Sequence, residues 1–148
     1  MSLTCIYLYK NKLYVPTALS IKGGGSVIDA PIYSYDFSYE SIITILNHGG
    51  YEIIKNLTLT ADFWKNRKDP LLIAMKLKSW NKLAQVSPSY TVAYGDTTIL
   101  YTAKLDTKGR YTNDEDKQQS FNITDIDLLA QTLWNDIHTF VQEHPQRP

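Results

Sequence analysis

The feature that most constrains this chain is an amphipathic stretch near its C-terminus. Ile126, Leu129, Ala130, Leu133, Trp134, Ile137, Phe140 and Val141 recur at three- and four-residue spacing, the period of a helix with one apolar face. The stripe is wide enough to lie against a sheet. Thr124 is a good N-cap, and Asp125 and Asp127 fall in the first turn, where the helix dipole favours negative charge. The helix must end by about residue 143, because Pro145 disfavours helical geometry in the residue before it. A loose tail is expected from about residue 145. Such a helix needs an apolar surface to cover, and the rest of the chain has to supply it.

Runs of β-forming residues meet that need. Residues 4–9 (TCIYLY) and 13–17 (LYVPT), parted by a turn at Asn11-Lys12, read as an opening hairpin. Pro16 has no N–H to donate, so it marks an edge or the end of the second strand. Residues 31–36 (PIYSYD) alternate as a third strand. Ser38 caps a helix from Tyr39 to about His48, with Ile42, Ile45 and Leu46 as its stripe and Gly49-Gly50 as its stop. Residues 51–60 are ambiguous between strand and loop. Asp69-Pro70 is a helix start, a capping carboxylate followed by proline at the first helical position, for a helix over 71–77. Ser79 caps a further short helix from Trp80 to Ala84. Gly95-Asp96, between β-rich residues 90–94 and 97–105, is a hairpin turn in which glycine supplies the positive φ. Residues 106–116 read as a polar loop and 117–123 as a last strand. The expected fold is α+β, one domain over all 148 residues. It has an antiparallel or mixed sheet of about five to six strands, helices packed on that sheet, and a long C-terminal amphipathic helix.

Composition narrows the function classes. Fifteen Lys+Arg balance fifteen Asp+Glu for a formal net charge of zero, whereas a general nucleic-acid binder carries a basic excess. The single cysteine, Cys5, rules out an internal disulfide and suits a reducing compartment. No apolar run approaches the ~20 residues that span a bilayer, and the N-terminus has no secretory-signal pattern. A cytoplasmic protein without a membrane segment is expected.

The groups that catalysis requires are missing from the sequence pattern. Gly23-Gly24-Gly25 lacks the Gly-Lys-Ser/Thr of a phosphate loop and reads as a flexible turn. His48, His138 and His144 have no partners at metal-ligand spacing, so neither metal nor cofactor is expected. No Gly-x-Ser-x-Gly elbow occurs. One tempting triplet remains, Glu115-Asp116-Lys117, since metal-dependent nucleases place Glu-x-Lys on a core strand with an Asp, here Asp96 or Asp106, on the strand before it. The triplet lies in a hydrophilic run, where carboxylates are not held as a rigid metal site. Exposed consecutive acids can instead steer a basic partner. A metal-dependent nuclease using Asp106, Glu115 and Lys117 is thus the first alternative to a non-enzymatic binder. A single-stranded nucleic-acid binder stacking bases on its tyrosines is the second.

Several pieces together resemble a known family. The opening strand pair carries Tyr14-Val15-Pro16-Thr17, followed by a glycine at Gly23 or Gly24. Ile45-Leu46-Asn47-His48 ends the first helix, and Leu77-Lys78-Ser79-Trp80 falls mid-chain. A hairpin, a glycine-bearing loop near Gly109 and the closing helix complete the order. Over residues 6–133 the chain resembles the immunity proteins (CdiI) of bacterial contact-dependent growth inhibition systems. The resemblance implies a cytoplasmic antidote without catalysis, which binds the C-terminal toxin domain of a cognate CdiA protein one-to-one. Many such toxins are nucleases. The candidate toxin contacts are then Asp106, Arg110, Tyr111, Asp114, Glu115 and Asp116, in the acidic segment that departs from the family pattern. Neither nucleic acid nor membrane is an expected partner.

Overall fold

A computed structural model of the chain describes residues 2–21, 26–48, 52–57, 68–80, 82–83, 87–105, 111–113, 115–122 and 125–143. Strands β1 (Ser2–Tyr9) and β2 (Lys12–Ile21) form the opening hairpin. Its turn is Lys10-Asn11, one residue earlier than the sequence suggests. Both residues have positive φ, 49° and 62°, the two-residue geometry whose twist matches the flanking strands. Strand β3 (Ser26–Asp36) then leads into α1 (Tyr39–Asn47). As expected, the Ser38 hydroxyl accepts the Ser41 N–H at 3.1 Å. Helix α2 (Pro70–Met75) is shorter than predicted, because Lys76 adopts the left-handed conformation and closes it. Asp69 caps its start, accepting the Leu71 N–H at 2.9 Å. Ser79 likewise accepts the Lys82 N–H at 3.2 Å, and Trp80, Lys82 and Leu83 are helical.

The architecture is α+β. Among the described residues, eight strands make one sheet in the order β3-β2-β1-β5-β6-β7, with β4 (Glu52–Leu57) also on β2 and β8 (Gln119–Asn122) also on β6. Among the described strands, β4 alone runs parallel to its neighbour. Strands β5 (Ser89–Tyr94) and β6 (Thr97–Leu105) form the hairpin expected around Gly95-Asp96. The count exceeds the five to six expected for two reasons. Residues 52–57 resolve their ambiguity as a strand, and β7 (Tyr111–Asn113) lies inside the segment read as a loop. Three residues are too few for alternation to reveal. Pro16 is a further correction: β2 continues through it with β3 alongside, and the register shifts between Pro16 and Thr17. On its other flank β2 is paired with β1 only as far as Tyr14 and with β4 only from Ala18, so the proline stands where one side of the strand is open and no ladder donor is required.

Pairing aligns alternate residues on two faces. Ile6, Leu8, Leu13, Val15, Tyr90, Val92 and Leu100 share one face and pack under α1 and α3 (Ile126–Glu143). From α3 come Leu129, Ala130, Leu133 and Ile137, all at most 1% exposed. Each of the larger side chains contributes about 1.5–3 kcal/mol by leaving water. The first helical bond of α3 runs from the Leu129 N–H to the Asp125 carbonyl at 3.0 Å, while Thr124, the predicted cap, lies outside the described residues. Trp134 stacks beside Phe37, with centroids 5.0 Å apart, and meets the edge of Tyr39, tying α3 to the entry of α1. The opposite sheet face carries Tyr7, which packs with Leu71, Met75 and Leu83.

Candidate functional site

Where α3 leaves the apolar core, its flank turns polar. Asp136 lies three residues after Leu133 and four before Phe140, on the margin of the apolar stripe. A carboxylate there needs a donor, and Tyr90 provides it. Tyr90 rises from β5 into the core with 1% exposure, and its hydroxyl donates to Asp136 Oδ2. Burial, and then the adjoining carboxylate, hold the Tyr90 phenol protonated far above its ordinary range. The pair therefore joins a buried neutral donor to a half-exposed carboxylate whose direction it sets.

Beside this pair is a groove of about 560 Å³ between α3 and the outer flank of β6. Its walls come from four elements. Leu100 and Thr102 belong to β6, Gln119 to β8, and Thr132, Asn135, Asp136 and Thr139 to α3. Asp116 and Lys117 come from the 3-10 turn Glu115–Lys117. Strands β7 and β8 pair with opposite ends of β6, and this brings the connecting turn to the groove. Two of the threonines in the lining present acceptors. The Thr132 hydroxyl donates to the Leu128 carbonyl at 2.8 Å and the Thr139 hydroxyl to the Asn135 carbonyl at 2.9 Å. With those protons engaged by the helix backbone, both oxygens keep only lone pairs for a ligand.

Of the six residues the sequence singles out, Asp116 reaches this groove and is exposed. Tyr111 opens β7 and Glu115 opens the 3-10 turn. Asp106, Arg110 and Asp114 lie outside the described residues. Glu115 and Lys117 belong to a three-residue turn, not the core strand that the nuclease triplet would need. Among the described residues no group of three or more His, Cys, Asp or Glu gathers at metal-binding distance, and no helix is long and apolar enough to cross a membrane. Thr102, Asn135 and Asp136 belong to no motif in the sequence. The spacing places Asp136 on the margin of the apolar stripe, but nothing local in the sequence points to the Tyr90 hydroxyl that orients it.

A second concavity, about 510 Å³, opens by α2 and the Trp80 turn. Leu72, Ile73, Leu77 and Trp80 line it with Lys68 and Lys78. Asp69 lies within it and accepts the Trp80 indole N–H at 3.1 Å, which anchors the ring. This cleft is apolar and lysine-flanked; the groove by α3 is polar and acidic. The two sit against opposite sheet faces.

No protein-family model matches the sequence, and no curated protein does. Solved structures do share the fold. A protein of unknown function from Neisseria meningitidis superposes with a TM-score of 0.59 at 10% identity, covering 88% of this chain and 93% of that one. A chain of the CdiA-CT/CdiI toxin and immunity complex from Yersinia pseudotuberculosis superposes with a TM-score of 0.54 at 8% identity, covering 83% of this chain and 87% of that one. At such identities the likeness is one of fold.

Proposed function

We propose that this chain is an immunity protein, which binds the C-terminal toxin domain of a cognate CdiA protein in the cytoplasm and blocks it without catalysis. The observation that carries the reading is the shared fold with a chain of a toxin–immunity complex over 83% of this sequence. It agrees with the family resemblance in the sequence. The groove by α3 supplies the contact chemistry. Asp116 and Asp136 outnumber Lys117 among its charged lining residues, a balance that suits a basic surface such as the substrate channel of a nuclease. Shielding that channel from nucleic acid would neutralise the toxin.

The test is co-expression with the toxin domain encoded beside this gene. The reading predicts restored growth and a one-to-one complex that co-purifies. If the toxin stays lethal and no complex forms, the reading is wrong.

A further inference from the structure

We propose that the groove between α3 and the outer flank of β6 is a receptor for a guanidinium group, anchored on Asp136. The inference deepens the toxin-binding reading, on which it rests for the identity of the protein that carries the arginine. Three observations converge on this ligand. First, Asp136 is held from behind: Tyr90 donates to Oδ2, while Oδ1 has no hydrogen-bond partner among the described residues. A carboxylate fixed in this way offers an oriented acceptor and loses little freedom when a cation docks.

Second, the buried end of the groove contains an unused polar group. Thr102 on β6 lines the groove and is 9% exposed, yet its hydroxyl has no hydrogen-bond partner among the described residues. The hydroxyl is not among the fully buried unpartnered atoms, so it stays open from the groove and can pair with a ligand. Third, the lining sets further acceptors near Asp136, alongside the N–H donors of Lys117, Gln119 and Asn135. The Thr132 and Thr139 hydroxyl protons are engaged by helix carbonyls, and Asp116 adds a second carboxylate at the mouth.

Guanidinium matches this lining better than ammonium does. It is flat, permanently charged, and presents five N–H donors in a fixed fork, so one group can reach Asp136 and neighbouring oxygens together. An ammonium ion carries three donors on a strongly hydrated point charge and recovers less of its hydration here. Lys117, the cation among the described lining residues, opposes any positive ligand and moderates affinity.

The experiment is a titration of the full chain with N-acetyl-arginine amide, followed by amide chemical shifts in a two-dimensional NMR spectrum. Saturable shifts are expected at Leu100, Thr102, Gln119, Asp136 and Thr139, with affinity at least about five-fold above that for N-acetyl-lysine amide. Asp136→Asn keeps an acceptor for Tyr90, so the fold survives while the charge is lost; it should weaken arginine binding at least about ten-fold. Thr102→Val should weaken it by about two- to five-fold. Equal affinity for the two amides, unchanged binding in Asp136→Asn, or shifts lying outside the groove would each overturn the proposal. No toxin takes part in the titration. Failure here with an intact toxin complex removes only the guanidinium receptor; arginine binding without a toxin complex removes only the immunity reading.

Discussion

Replacing Tyr90 with Phe isolates the interaction that ties the groove to the core. Tyr90 is neutral when protonated, and its folded pKa is raised well above the ordinary value of about 10. The native chain therefore keeps a proton that the unfolded chain releases in alkali. This stabilisation is complete below about pH 10 and declines as pH rises, by about 1.4 kcal/mol for each further pH unit. From about pH 10 to 11.5, Tyr90 alone should cost the wild type about 2 kcal/mol. Burial also raises Tyr14, Tyr94 and Cys5, but both proteins contain these groups and the difference cancels them. At neutral pH the variant loses a charge-assisted bond and is relieved of burying the hydroxyl, for a net loss of about 1–2 kcal/mol. Urea unfolding followed by tryptophan fluorescence gives both quantities. The variant should start less stable and show the shallower alkaline decline, so that the two curves converge. Parallel declines above pH 10 would refute the reasoning, since Tyr90 would then not be held protonated by the fold.

Other perturbations test neighbouring parts of the account. Leu133→Ala, at a site with no exposure, should lower unfolding free energy by about 2–5 kcal/mol, read from the urea midpoint. Asp69→Ala removes the acceptor for both the Leu71 N–H and the Trp80 indole. It should cost about 1–2 kcal/mol and change the near-ultraviolet dichroism, with Asp69→Asn recovering most of the loss. Lys78→Glu, in the cleft against the other sheet face, should leave affinity for the toxin domain within about two-fold, as expected for a charge outside the interface; a larger change would move the contact surface to that cleft.

The parts of the fold legible in the sequence are those set by local chemistry. Ser38 and Asp69-Pro70 mark helix starts because a side-chain oxygen must meet an orphan N–H within three residues. Gly95-Asp96 sets a hairpin because of the φ that its turn needs. The stripe from Ile126 to Val141 fixes α3 because its period is that of a helix. What stayed hidden depends on distant partners. The parallel pairing of β4 with β2 leaves no local trace, and the pairing that carries β2 on past Pro16 depends on the neighbouring strand. In the groove, Asp116 was legible as one of a run of acids. Asp136 was not, since its meaning comes from Tyr90, forty-six residues away in sequence.

The most direct test of toxin binding through the acidic groove is a calorimetric titration of the purified chain with the toxin domain encoded beside it, repeated between about 0.05 and 0.5 M salt. The account predicts a one-to-one complex that weakens as salt rises, and weakens at least about ten-fold when Asp136→Asn and Asp116→Lys are combined. Absence of binding at micromolar concentrations would contradict it, as would an affinity indifferent to both salt and these two substitutions.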